Sequence, residues 1–176
     1  MLLPQGWLVA EGRIRVAPAR PDELRMAVGI LDEASAWLVG RGLIGWPRPF
    51  PVATFEAMQV LGPTYLAWDG PMAVATFSLH RTDVKFWGER PGESPGHARY
   101  LHKLAIRRSH AGLGRELLGL AESLAREGGA VCLRLDCVAG NPAICGYYEA
   151  AGFEYRGEVS GPAIAAPAAL YEKRLR

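Results

Sequence analysis

From residue 97 to residue 159 the hydrophobic period changes in a set order, and that order constrains the fold more than any other feature of the chain. HARYLHKLAIRR, apolar at Leu101, Leu104 and Ile106, reads as a strand that runs directly into the turn SHAGLG. Leu113, Leu117, Leu120 and Leu124 then recur at steps of three and four, the apolar stripe of a helix, and Gly128-Gly129 stops it. VCLRLDC at 131–137 is strand again. Asn141-Pro142 has the form of an N-cap followed by proline in the first turn, opening a helix that ends at Gly152, with a further strand predicted near 153–159.

The flanks are mostly strand. RIRVAP at 13–18 alternates Ile14 and Val16 with polar neighbours, the period of a half-buried strand. Pro21-Asp22-Glu23 opens a helix with early acids, and Leu24, Val28, Leu31, Ala34 and Leu38 keep helical spacing up to Gly40 and Gly42. Pro47 and Pro49 in WPRPF remove donors and hold the chain extended, so a loop precedes a short helix near 52–61. TYLAW at 64–68 and PMAVATFSLH at 71–80 are rich in β-branched and aromatic residues and flank Asp69-Gly70, which predicts an antiparallel hairpin. Residues 88–96 and the Ala/Pro-rich 160–169 read as loops, and a last strand is predicted near 168–174.

At 176 residues the chain has the length of one domain, spanning 1–176 with 1–12 as an N-terminal extension. With 49% hydrophobic and 22% charged residues it has the composition of a folded protein rather than a disordered one. A net charge of +2 is too small for the concentrated field of a nucleic-acid or membrane-surface binder, so neither partner is expected. Cys132, Cys137 and Cys145 are odd in number and lack CxxC spacing, which argues against a disulfide framework or a zinc site and for small buried apolar roles. The opening MLLPQGWLVAEG carries no basic leader, and no run approaches the ~20 apolar residues of a membrane helix, which points to a cytoplasmic protein.

A strand that feeds a glycine turn and then a helix gathers free backbone N–H groups and the positive end of a helix dipole, where a diphosphate can dock. Ala111, Gly112 and Gly114 permit close approach, and Arg107, Arg108, His110 and Arg115 place cations around them. Taken alone, Gly112 and Gly114 serve equally well to shape a tight turn. SHAGLG lacks the GxGxxG spacing of a dinucleotide-binding Rossmann unit, and no acid stands at the ribose position of a following strand.

LAIRRSHAGLGRELL followed by NPAICGYYEAAGF resembles the acetyl-CoA-binding core of the GNAT superfamily of N-acetyltransferases, with Asn141, Tyr148, Gly152 and Phe153 at that family's spacing. The resemblance implies an α+β (mixed α/β) fold, a central, mostly antiparallel, twisted sheet of about six or seven strands flanked by about four helices. It implies acetyl-CoA as acyl donor and residues 100–158 as the core that binds it. Main-chain groups of Leu104, Ala105 and Ile106 would face the pantetheine, one N–H serving as oxyanion donor. Ser109, His110, Ala111, Gly112, Leu113, Gly114 and Arg115 would hold the pyrophosphate, and Asn141 would bond the coenzyme's amide arm or simply cap its helix. Ser109 departs from the Arg or Gln common at its position, with Arg108 and His110 as neighbouring cations.

The implied activity is acetyl transfer to a primary amine of a small molecule or peptide by direct attack in a ternary complex, and members of the family often pair as homodimers. Such a transfer needs a neutral nucleophile, a polarised thioester carbonyl and a proton for the departing thiolate. The resemblance places Tyr148 near the coenzyme sulfur as general acid, a role that suits a phenol of ordinary pKa about 10, while Tyr147 is expected to be structural. No general base stands out: Asp69 is explained by its hairpin turn, and Glu33, His80 and His102 are lone candidates. Asp136 alternates away from the Leu133 and Leu135 face, to line a cleft or sit solvated or salt-bridged, and the same alternation sets His102 with Leu104 and Ile106. Trp37, Trp46 and Phe50 are candidate walls for the acceptor, and no metal site is expected. The altered Ser109 position and the missing base leave a catalytically silent acyl-CoA-binding sensor as the alternative.

Overall fold

Asp69-Gly70 closes the hairpin that the sequence signals: β3 (Thr64–Asp69) and β4 (Met72–His80) pair antiparallel from Asp69↔Met72 to Thr64↔Ser78, with Gly70 at φ +54°. This is a computed structural model, and it describes residues 6–89, 92–94 and 96–176. The opening of the expected N-terminal extension, residues 1–5, and Arg90, Pro91 and Pro95 of the expected 88–96 loop lie outside the described residues. The chain forms two units, one holding the chain up to Ser78 with Lys103–Gly119, the other Leu79–His102 with Leu120–Arg176.

In the first unit β2 (Ile14–Pro18) pairs antiparallel with β3, and β1 (Trp7–Val9) pairs antiparallel with β2. β1 falls within the expected extension. Its turn carries a weak sequence signal, because Ala10 and Glu11, at φ +52° and +56°, occupy the left-handed region that Asn and Gly usually mark, and only Gly12, at φ +84°, shows it in the sequence. The apolar stripe of α1 (Leu24–Val39) buries Leu24, Ala27, Val28, Ile30 and Leu31 with Phe55 of α2 (Val52–Met58) and Leu66 and Trp68 of β3. Two hydrogen bonds tie the WPRPF loop to α1: Ser35 Oγ donates to the Trp46 carbonyl (2.6 Å), and Asp32 Oδ1 accepts from the Phe50 N–H (2.9 Å).

The second unit holds α3 (Val84–Trp87), the first part of β5 (Ala98–Ile106), β6 (Cys132–Val138), α5 (Pro142–Ala150), β7 (Glu154–Val159) and β8 (Ala168–Arg174). α3 is a single turn added to the expected helices, with Asp83 as its cap. The helix joining β5 to β6, α4 (Gly114–Glu127), begins in the first unit and ends in the second. Joined by a helix, β5 and β6 run parallel, from Ala98↔Cys132 to Leu101↔Leu135. β6 and β7 each pair antiparallel with β8. Arg134 of β6 is buried, bonded to Glu93, Glu172 and the Tyr100 hydroxyl.

The strands hydrogen-bond in the order β1-β2-β3-β4-β5-β6-β8-β7, an eight-stranded, mostly antiparallel sheet of the expected class with β1 as the added strand. Lys103, the residue at which β5 passes from one unit to the other, has φ +53°. A left-handed residue inside a strand breaks the two-residue alternation, so the parity that groups His102 with Leu104 and Ile106 does not carry through it.

Candidate functional site

In the first unit β5 leads into the glycine turn. Ala105 is buried in the α1 core while Leu104 and Ile106 are half-buried. Arg107 N–H donates to the Val74 carbonyl (2.8 Å) and its Nε to the Ala73 carbonyl (2.9 Å), while its guanidinium pairs with Glu33. Glu33 also accepts from the Arg108 N–H (3.2 Å), and the Arg108 guanidinium lies 4.3 Å from the Trp37 ring centroid, with Arg41 at 4.0 Å from the same ring. Of the expected cations, Arg107 and Arg108 are thus engaged with Glu33 and Trp37, and Arg115 is exposed. Glu33, a candidate base from sequence, serves as the anchor of this turn.

Residues 108–110 form a 3-10 turn, and Gly112 follows at φ +104°, a conformation that a side chain resists although nothing lies within 4 Å of where its Cβ would sit. A recess of about 400 Å³ opens over this turn, lined by Ser109, His110 and Gly112 together with Arg13, Asp69 and Glu116. Ser109 Oγ lies 2.9 Å from His110 Nδ1, and His110 Nε2 lies 2.9 Å from Asp69 Oδ2, so the three side chains form one hydrogen-bonded chain. Asp69, explained by its turn in the sequence, also orients the imidazole. Arg13 is a cation that sequence reasoning missed, because the register between β2 and β3 brings the segment before Ile14 beside Asp69.

In the second unit Asn141 Oδ1 accepts from the Ile144 N–H (3.3 Å), the cap that its sequence predicts. Tyr148, on the same helix, is buried, its ring edge-on to Tyr147 (5.3 Å) and Phe153 (5.9 Å) and tilted against Tyr171 (6.3 Å). Burial pushes its phenol well above the ordinary tyrosine range, with Cys137, Tyr147 and Asp136 adding to the rise. Such a group keeps its proton through neutral and mildly alkaline pH. Cys132 is buried as expected, whereas Cys137 and Cys145 are half-buried with their sulfurs 3.7 Å apart, and burial raises the Cys137 thiol.

His102 is not a lone histidine: Asp83, Asp136 and His80 surround it. Among the described residues Asp83, His102 and Asp136 form one His and carboxylate group with ligand atoms within 4.8 Å. His102 Nε2 lies 3.3 Å from Asp83 Oδ2, and its Nδ1 lies 3.7 Å from Asp136 Oδ1. Of the expected acceptor walls, Phe50 is in the α1 core, Trp46 packs against it, and Trp37 is covered by two guanidinium groups.

Among the described residues no helix is long and apolar enough to cross a membrane. Residues 31–153 match the family model described as Acetyltransferase (GNAT) family. The chain is 35% identical over 158 residues to a Bacillus subtilis (strain 168) protein named "Uncharacterized N-acetyltransferase YesJ", covering 85% of this chain and 86% of that one. A GNAT family acetyltransferase from Listeria monocytogenes 4b F2365 has a similar structure, with TM-score 0.75, 24% identity, and coverage of 96% of this chain and 99% of that one. The structure of yncA, a putative acetyltransferase from Salmonella typhimurium with its cofactor acetyl-CoA, superposes with TM-score 0.65 at 16% identity over 93% of this chain and 94% of that one. With a family match over well more than half its length and a relative at that identity, the chain belongs to the GNAT family of N-acetyltransferases.

Proposed function

We propose that the chain transfers the acetyl group of acetyl-CoA to a primary amine of a small molecule or peptide, by direct attack in a ternary complex. The observation that carries this reading is the family match over 31–153, which takes in both the glycine turn and the segment from Asn141 to Phe153. In this reading the N–H groups of the turn, residues 109–115, hold the diphosphate, and Ser109 and His110 take the place of the usual Arg or Gln. Main-chain groups of Leu104, Ala105 and Ile106 bind the pantetheine and polarise the thioester carbonyl. Asn141 caps its helix and contacts the amide arm.

The attacking nitrogen adds to the acetyl carbon, the carbon–sulfur bond breaks, and Tyr148 gives its proton to the departing sulfur. Burial keeps the phenol protonated at neutral pH, as a donor must be, while making it a weaker acid than an exposed tyrosine. Release of free coenzyme A thiol, followed colorimetrically over a panel of amines, amino acids, polyamines and short peptides, tests the proposal. Thiol release that requires one of these acceptors supports it. Acetyl-CoA binding without release from any of them favours the silent sensor instead.

A further inference from the structure

Within the second unit the His102 imidazole has a carboxylate at each nitrogen: Asp83 Oδ2 lies 3.3 Å from Nε2, and Asp136 Oδ1 lies 3.7 Å from Nδ1. The ring of His80 packs against it, centroids 4.6 Å apart and planes 37° apart. The three elements that supply these groups hold them firmly. Asp83 Oδ1 accepts from the Phe86 N–H (3.2 Å) at the start of α3, Asp136 sits in the β6 ladder opposite Leu170, and His80 is fully buried at the end of β4. The side chains of His102, Asp83 and Asp136 are 11%, 6% and 17% exposed, and Asp83 also lines a recess of about 260 Å³.

A neutral imidazole has a single N–H and can donate to only one of two carboxylates. A proton on the ring lies between two carboxylates, Asp83 at 3.3 Å and Asp136 at 3.7 Å, close enough for both charges to act on it. Such a group sets an imidazole between two carboxylates, the composition of a base for an attacking amine. Asp83, His102 and Asp136 belong to the same unit as Tyr148, the proposed proton donor. Packing alone does not explain the arrangement, because burying one imidazole and two acids costs more than burying apolar side chains of the same size.

We propose that His102 is the general base of the acetyl transfer, with Asp83 and Asp136 as positioning residues that hold its ring and stabilise its cation. This rests on the reading of the chain as an amine acetyltransferase. The proton leaving the attacking nitrogen passes to His102 Nδ1, directly or through one water. The nitrogen's electron pair forms the bond to the acetyl carbon, and the electrons of the broken carbon–sulfur bond leave on sulfur, which takes the Tyr148 proton. Turnover of a neutral amine thus ends with imidazolium and phenolate, and one proton passed between them through solvent restores both. Asp136, the most exposed of the three, also attracts the ammonium form in which a primary amine arrives. Among the described residues, Asp83, Asp136 and His80 are titratable groups that face His102.

The test compares the wild-type chain with His102→Gln, Asp136→Asn and Asp83→Asn. Acetyl-CoA is the donor, and the acceptor is the amine of the panel that gives most thiol release, from mildly acidic to mildly alkaline pH. For His102→Gln we expect kcat to fall by about 10²-fold or more, with the acetyl-CoA KM and the circular dichroism spectrum retained. After the acceptor's own ammonium ionisation is divided out, the wild-type kcat/KM falls on the acid side and that of His102→Gln does not. Asp136→Asn and Asp83→Asn keep this limb but displace it to lower pH, a shift that a purely structural role would not produce. Should His102→Gln lose its fold, the displacement in Asp136→Asn decides. An unchanged acid limb in a folded His102→Gln, or undisplaced limbs in both Asn variants, overturns the inference alone. Acetyl-CoA binding with no thiol release from any amine overturns the acetyltransferase reading and this inference with it.

Discussion

Tyr148 holds its proton because its phenol is surrounded by the rings of Tyr147, Phe153 and Tyr171, where an ionised oxygen is poorly solvated. Tyr148→Phe keeps the ring and removes only the proton donor. The expected result is a kcat lower by about 10²-fold with acetyl-CoA affinity close to wild type, as read by steady-state kinetics and calorimetric titration. The raised phenol has a second consequence: no alkaline loss of activity from this residue is expected below about pH 10, the ordinary tyrosine value. Gly112 makes the complementary case, because its constraint lies in the backbone. Space is open around its missing Cβ, so Gly112→Ala meets no clash, only the cost of φ +104°, about 1 kcal/mol or somewhat more. A turn that relaxes to avoid this cost is expected to weaken acetyl-CoA binding by roughly fivefold or more, measurable by titration, with little change in kcat.

At the scale of the element, α5 depends on its first residue. Asn141 Oδ1 satisfies the Ile144 N–H, and Pro142 begins the first turn with its backbone angle already helical. Asn141→Ala is expected to lower the urea midpoint by the equivalent of about 1 kcal/mol. Asn141→Ser retains the cap, so it separates the two roles of this residue: recovered stability with weakened acetyl-CoA binding identifies a coenzyme contact, and recovery of both identifies a cap alone. The hairpin and α5 were legible because each is punctuated locally, by Asp69-Gly70 and by Asn141-Pro142. β1 was not, since its three residues are too few to show a period, and Gly12 alone marks the turn that follows it. The break at Lys103 was likewise invisible, because a lysine gives no hint of a left-handed backbone.

For the molecule as a whole, β4, β5 and α4 each run from one unit into the other. We expect the full chain to unfold in urea as one cooperative transition, by fluorescence and circular dichroism alike, as a single domain 1–176 would. Two separated transitions would make the units independent domains. Acid should weaken this structure in a specific way. Burial opposes ionisation of Glu172, but hydrogen bonds and charge from Arg134 and Arg156 outweigh it and hold the carboxyl below its usual range. Since the folded value lies below the unfolded one, near 4.3, the stabilisation is complete above that value and is lost as pH falls through the folded value. The urea midpoint of Glu172→Gln should therefore fall less steeply with acid than that of the wild type. Arg134→Met leaves Glu93 and Glu172 without their buried partner and is expected to cost about 3–5 kcal/mol in the same assay.

The order of strands and helices, the glycine turn and the segment from Asn141 to Phe153 were determined by the sequence itself, because periodicity, caps and turn residues act between near neighbours. The partners of charged side chains were not, since they come from segments far apart in the chain. Only the tertiary structure could show that Asp69 holds His110 across 41 positions, that Glu33 anchors Arg107 across 74, or that Asp83 and Asp136 flank His102. Strand register and helix packing decide those meetings, and an isolated histidine or carboxylate in a sequence carries no record of them.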